Sequence, residues 1–331
     1  MLKSARFWIG LVVSAVCLYF AFQGIQFDKL IAALGSIDYL WFVPASIVFL
    51  LSYVGRVLRW QLLFSPQKMR FAKVFNALNI GYLLSNVLPA RLGDVVRAYL
   101  IGEIENVSKA RALSTVVVER LSDGLTVVLV LAVTALFVPN IPTEARQGAM
   151  VVAATGIGGL VFLLLISFQK ERGLALLRRL TAPIPFLQHP RLWRALESLI
   201  DGFAVLRSPR PIIAVVFCSL WAWIVGGAVY WVVMQAMGMT LPITAAFLVM
   251  TVTSLVVVVP SSPGYIGVYH YAAQLTLTSV FAVDKESALS YAVVVHAFPY
   301  LWLIALGIYS MGQEGLTYQR LQSIQTDTEE N

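Results

Sequence analysis

Six stretches of the chain are apolar over lengths close to the ~20 residues that a helix needs to cross ~30 Å of hydrocarbon. They lie at about residues 7–25, 39–60, 121–139, 149–168, 211–238 and 287–312. Lipid offers no partner to a backbone N–H or C=O, so runs of this kind must close their own hydrogen bonds as helices. Composition agrees: 59% of the 331 residues are hydrophobic and 12% are charged. That charged share is about half of what a soluble domain carries. Mean hydropathy is +0.80. The expected class is all-α, a polytopic integral membrane protein.

Two further apolar regions do not make clean spans. Residues 74–104 hold an apolar arm of about 15 residues, then "LPARLGD", then a shorter returning arm. A helix of 15 residues rises only ~22 Å, short of a crossing. Residues 243–282 repeat the pattern around "VPSSPGYIGV". Both read as re-entrant or broken helical hairpins, which survive at membrane depth only where protein or a wet cavity covers them.

Charge supplies an orientation. Nineteen of the 24 basic residues flank one set of segment ends, and only Lys29, Arg146 and Lys285 flank the other. Arg91 and Arg97 sit inside the first hairpin. The positive-inside rule then puts both termini in the cytoplasm of a cell-membrane protein. It also explains a net charge of +7 without nucleic acid, which is not an expected partner. With that orientation each half reads span, span, hairpin, span, and the second half is inverted relative to the first. The turns agree, since Pro89–Gly93 and Pro260–Gly264 are both P-x-x-x-G. Inverted repeats with interrupted helices at matching places are a transporter pattern, although proline and glycine also mark ordinary turns. The expected organisation is one membrane domain, 1–313, with halves of about 1–140 and 145–313. A basic cytoplasmic loop or helix fills 169–210, and 314–331 is a flexible tail. The basic, apolar N-terminus lacks a small-x-small cleavage site and reads as a retained anchor.

The first motif, "SNVLPARLGDVVRAYLIG" with "ALSTVVVERLSDG" downstream, and the second, "VPSSPGYIGVYHYAAQLTL", occur in that order across nearly the whole chain. Together they resemble the transmembrane region of lysylphosphatidylglycerol synthases and their stand-alone flippase-like relatives. The resemblance implies a lipid-handling membrane domain, in some members a flippase for aminoacylated phosphatidylglycerol. The aminoacyl-transferase domain of the full synthases is absent from these 331 residues, so synthesis is not expected. The chain departs from the family twice: His270 stands where Glu usually follows P-G-x-x-G-V, and His296 where the last span usually carries Arg.

Candidate lipid- or anion-binding residues follow. A charge at the bilayer centre costs roughly 2.5–3.5 kcal/mol on insertion scales, so such residues face a cavity or a partner. In the first hairpin these are Asn86, Arg91, Gly93, Asp94 and Arg97, with Glu119 and Arg120 downstream. Gly93 opens a helix whose free amides favour an anion, and Arg91 adds a planar fork suited to phosphate. The competing reading is structural: Asp94 pairs with Arg97, three residues on, or with Arg120, and merely fixes the hairpin. Glu119 and Arg120 also read as a membrane-surface pair. Ser261, Ser262, Gly264 and Tyr265 can bond a headgroup, or satisfy backbone freed by the prolines. His270 and His296 are a candidate proton relay, or hydrogen-bonded core histidines; a titrating pair would make activity vary with pH near ~6.5. Trp41, Trp60, Trp221 and Tyr300 read as interfacial anchors. Arg178, Arg179, Arg191 and Arg194 suit anionic headgroups at the surface.

No G-x-x-x-x-G-K-[ST], H-E-x-x-H or nucleophile elbow occurs, so no ATPase, metalloprotease or hydrolase chemistry is expected. Cys17 and Cys218 build neither a disulfide framework nor a metal site, and no cofactor or metal is called for. The leading expectation is a non-enzymatic lipid translocator moving a phosphate-bearing lipid or lipid-linked sugar between leaflets. The alternatives are a non-transporting scaffold for a lipid-modifying enzyme or glycosyltransferase, and a lipid-processing enzyme with unrecognised residues. Expected partners are membrane lipid and either a second copy or a membrane enzyme.

Overall fold

The computed structural model describes residues 5–87, 92–139, 141, 143–168, 170–182, 189–190, 193, 209–258 and 261–315. Among them every regular element is helical. In chain order these are α1 (Ala5–Phe22), α2 (Phe27–Gly35), α3 (Phe42–Leu62), α4 (Phe71–Val87), α5 (Leu92–Ile104), α6 (Lys109–Phe137), α7 (Thr143–Phe168) and α8 (Lys170–Thr181). Then come α9 (Pro209–Ala236), α10 (Ile243–Val256), α11 (Val268–Phe281) and α12 (Lys285–Gln313). A 3-10 turn at Tyr39–Trp41 leads into α3, and a second at Pro263–Tyr265 lies between α10 and α11.

Among the described residues three helices are long and apolar enough to cross a bilayer: Tyr39–Leu62, Arg210–Ala236 and Lys285–Gln313. A fourth crossing is available if α1 and α2 are counted together, but they meet at 88°. The run read as one span over 7–25 therefore ends at Phe22. Gly24, at φ +77°, makes the turn, in a region where glycine alone is unstrained. The second leg is tied down where the Gln26 N–H donates to Glu286 Oε1 of α12 (3.1 Å). α6 and α7, of 29 and 26 residues, are also longer than a crossing needs, and α6 carries the charges described below.

α4 and α5 form one antiparallel pair, and α10 and α11 another. The arms have 17, 13, 14 and 14 residues, about 20–26 Å each at 1.5 Å per residue. Every arm is shorter than the hydrocarbon core. The first pair approaches closely because glycines face each other: a Cβ on Gly93 would collide with the Gly81 carbonyl and with Ser85, and one on Gly81 would strike the Arg97 side chain at 2.7 Å.

Two apolar cores organise the molecule. One joins α3, α4, α5 and α6 around Val57, Trp60, Leu78 and Ile101. The other joins α9, α10, α11 and α12 around Val233, Val249, Leu277 and Tyr291. The most extensive contact between them is α3 along α9. It is pinned where the Ser52 hydroxyl donates to the Ala222 carbonyl (2.7 Å) and Trp221 Nε1 donates to the Leu51 carbonyl (2.9 Å). Each hairpin packs on the last long helix of the opposite half, α4 on α12 and α10 on α6. Leucine, isoleucine and valine outside these cores, such as Ile47, Val133, Leu136, Ile213 and Leu301, stay exposed on the perimeter, as lipid-facing side chains must. The end of α12 is fastened too. Lys73 Nζ pairs with Glu314 at 2.9 Å and Asn76 Nδ2 donates to the same carboxylate, so the expected tail does not begin free at 314. Most of the expected 169–210 loop, and 316–331, lie outside the described residues.

Candidate functional site

Arg56 and Arg59 sit near the end of α3, one and two turns beyond Ser52 and on the same face. They were expected among the loop charges that set orientation, and the structure places them inside the helix. That face meets Glu119, Arg120 and Asp123 on α6, and Asp94 and Arg97 on α5. Arg59 bonds Asp123 at 2.6 Å and Glu119 at 3.1 Å. Arg97 bonds Glu119 Oε2 at 2.9 Å and Asp94 at 3.2 Å. Arg120 holds Asp94 with two bonds, one of them 2.9 Å from Nε to Oδ2. The side chains of Arg59, Arg97 and Glu119 are 0% exposed. Burying charges is repaid only by close, mutually hydrogen-bonded partners, which this packing supplies to each group, leaving Arg59 Nε and Arg97 Nη2 without a partner among the described residues. The Arg97 guanidinium also stacks over Trp60, 4.7 Å from its ring centre. Trp60 is thus a core residue, fully buried, and not an interfacial anchor.

Among the described residues the network holds four arginines and three carboxylates, a formal net charge of +1. The excess is not spread evenly. Arg56 and Arg120 keep 21% and 34% side-chain exposure where Arg59 and Arg97 keep none. Arg56 is the least satisfied: its ion-pair contact among the described residues is Asp123 at 3.9 Å, beyond hydrogen-bond reach. Its guanidinium lies 5.0 Å from the Trp223 ring centre.

Both exposed arginines line a cavity of about 460 Å³ between the two halves, within the range of small-molecule sites. Both hairpins end at it. Ser85 and Asn86 contribute from the end of α4, and Leu255, Val257, Val258 and Tyr265 from the second hairpin. The Ser85 hydroxyl is buried with no hydrogen-bond partner among the described residues. The lining also includes Tyr230, Tyr269, His296 and Tyr300. Tyr269 donates to the Tyr230 hydroxyl at 2.8 Å, and the His296 ring stacks on Tyr269 with centres 4.4 Å apart. Pro299 interrupts the hydrogen-bond ladder of α12 here.

The tip of the second hairpin is a strained turn, with Gly264, Tyr265 and Gly267 at φ +71°, +58° and +93°. Tyrosine rarely adopts positive φ, and such strain persists only where surroundings enforce it. They do so here: the Ser262 N–H donates to Ser14 Oγ of α1 at 2.8 Å, and a Cβ at Gly264 would lie 2.9 Å from the Tyr300 hydroxyl. That hydroxyl donates to the Asn86 carbonyl at 2.9 Å. Tyr300 therefore touches both hairpin tips and is not an interfacial anchor. His270 lies at the start of α11, where its Nδ1 accepts from the Gly267 N–H at 3.3 Å. Its ring centre is 4.9 Å from that of His296, at 83°.

The sequence-derived candidates thus divide. Asn86, Arg120, Tyr265 and His296 line the cavity. Asp94, Arg97 and Glu119 form the ion network behind it. Gly93 lies in the α4–α5 contact, Gly264 against Tyr300, and His270 against His296. The Ser262 hydroxyl donates to the Ile266 carbonyl (3.1 Å), and that of Ser261 is buried without a partner among the described residues. Arg91, like Pro89 and Pro260, lies outside the described residues. Sequence reasoning missed Arg56, Arg59, Tyr230 and Tyr269; the signal for the arginines was their i,i+3 spacing on the Ser52 face of an apolar run.

The histidine contact gives a direct test. His270→Glu and His296→Arg should each destabilise the protein, because each buries one charge without its partner. Combined, they should recover stability by more than the ~0.5 kcal/mol expected of independent sites. Thermal unfolding in detergent measures this, and additive losses would mean the two positions do not interact.

Comparison with known proteins places these motifs in context. The model of the lysylphosphatidylglycerol synthase TM region matches residues 7–307. The chain is 24% identical to the glycosyltransferase AglD of Haloferax volcanii over 91% of its own length and 53% of that protein. It thus spans about half of that relative. It is 22% identical to the UPF0104 membrane protein MJ1078 of Methanocaldococcus jannaschii, covering 68% of this chain and 91% of that one. A second protein of that organism, UPF0104 membrane protein MJ1595, is 28% identical over 37% of this chain and 38% of its own length.

Proposed function

The chain belongs to the lysylphosphatidylglycerol synthase TM region family, and from that premise we propose that it is a lipid translocator. A phosphate-bearing headgroup would pass through the central cavity while its acyl chains stay in the bilayer. The observation that carries this reading is the convergence of both interrupted hairpins on one largely apolar cavity into which an under-paired arginine projects. Broken helices are tolerated at membrane depth where they line such a space, and substrate sites of secondary transporters are built from them. The family's name and that of AglD favour a lipid or glycolipid as cargo. The reading assigns the chain no catalytic step, and movement runs down a gradient of lipid or of protons.

The reading includes an inverted repeat in which α3, α4, α5 and α6 correspond to α9, α10, α11 and α12. The packing supports it: α4 lies on α12 as α10 lies on α6, while α3 and α9 face each other. The first hairpin would enter from the cytoplasm and the second from the opposite face, with both termini cytoplasmic. Moving Arg56, Arg59 and Arg120 out of the loop tally still leaves sixteen basic residues against three. In a background lacking Cys17 and Cys218, single cysteines at Lys68 and Glu103 should react only from the cytoplasm, and those at Asp28 and Thr143 only from outside. Reaction of all four from one side would remove the inverted topology.

Reconstitution tests the function itself. Purified protein in liposomes should equilibrate a phosphate-bearing lipid between leaflets. A scaffold would leave the lipid in its original leaflet while co-purifying with an enzyme.

A further inference from the structure

The charge arrangement of the cavity restricts which headgroup it can take. We propose that the site selects an anionic phosphate headgroup whose remainder is uncharged and hydroxyl-bearing, and that it rejects aminoacylated, cationic headgroups. This rests on the reading of the cavity as the lipid site.

The charged side chains among the described lining residues are Arg56, Arg120 and Asp123. Asp123 is the sole carboxylate, and it is already committed: Arg59 donates to it at 2.6 Å and Trp223 Nε1 at 2.8 Å, with Arg56 and Arg120 each at 3.9 Å. Asp94 and Glu119, behind the wall, are bonded by Arg97 and Arg120, and by Arg59 and Arg97. A lysyl or other amino group entering this space would meet two guanidiniums and, among the described residues, no available acid. Like charges at such separations repel strongly where water is scarce. A phosphate meets the opposite situation: Arg56 offers donors that lack a hydrogen-bonded acid, and charge-assisted bonds from guanidinium to phosphate are strong.

The aromatic part of the lining points the same way. His296 there is neighboured by His270, Tyr269 and Tyr300. His270, packed against His296, uses Nδ1 to accept from the Gly267 N–H. Tyr230, Tyr265, Tyr269 and Tyr300 supply flat apolar faces with hydroxyls at their edges. That combination fits an uncharged polyol such as glycerol or a sugar ring, which carries both C–H faces and O–H groups. A site built around hydrogen bonds discriminates against ligands that leave its polar groups unpaired.

The test uses wild-type protein in nanodiscs, with lipid retention read by native mass spectrometry. The probes are phosphatidylglycerol, lysyl-phosphatidylglycerol and a polyprenyl-phosphate hexose, with inorganic phosphate as competitor. Phosphatidylglycerol and the hexose lipid should each be retained at least about tenfold over the lysyl lipid, a difference of about 1.4 kcal/mol. Arg56→Gln should shrink that ratio toward one. Displacement of the lipids by millimolar inorganic phosphate would mark the anion as the recognised element, whatever its source. Equal retention of the lysyl lipid, lost in Arg56→Gln, would overturn the charge selection and leave the lipid-site reading standing. Retention of no lipid, with no transport in liposomes, would overturn both.

Discussion

Glu119→Gln is expected to cost about 3–5 kcal/mol of stability, the toll of stranding buried charges without their partner. Glu119 has no exposure and accepts from Arg59 at 3.1 Å and from Arg97 at 2.9 Å. Its loss as an anion would leave two enclosed guanidiniums sharing Asp94 and Asp123, which already serve Arg120 and Arg56. The amide keeps the shape and one acceptor, so the effect isolates charge. Thermal unfolding in detergent should show a large fall in midpoint. Tyr82→Phe, which removes only a long 3.4 Å bond to the same carboxylate, should cost about 1 kcal/mol or less. Equal, small losses from both changes would mean that water reaches the network and screens it.

Arg56→Gln is expected to do the opposite: leave the fold nearly intact and remove most lipid transport. Its nearest carboxylate is 3.9 Å away and its side chain is 21% exposed to the cavity, so little stability rests on it. Losses should stay within about 0.5 kcal/mol. For the translocator, however, it is the cation with the most unused donor capacity along the proposed route, and the transport rate should fall at least about tenfold. Arg56→Lys should recover part of the rate, because it restores the charge without the planar fork.

The helices and the two hairpins were legible because their signals are local. Apolar runs near membrane length and paired proline–glycine interruptions need no tertiary information. Asp94, Arg97, Glu119 and Arg120 stood out for the same reason, as charges in apolar sequence. Arg56 and Arg59 did not, because arginines near the end of an apolar run look the same whether they snorkel to the interface or turn inward. Only the packing of α3 against α6 decides that. Trp60 and Tyr300 were misassigned likewise, since an anchor and a core aromatic share one composition and differ in what covers them. The 88° turn after Phe22 rests on a single Gly24, too small a signal within a run that otherwise continues. Gly93 reads in sequence as the opening of a helix. Its part in the structure, letting α5 lie against Gly81 and Ser85, depends on the partner helix.

The central claim is that lipid phosphate crosses the membrane through the cavity between the hairpins. The most direct measurement is leaflet-resolved movement of phosphatidylglycerol in liposomes, comparing wild-type and Arg56→Gln protein at matched density and matched folded fraction. The account predicts that wild-type protein equilibrates the two leaflets and that Arg56→Gln is slower by about tenfold or more. Equal rates for the two proteins, or a wild-type rate no faster than protein-free liposomes, would contradict it.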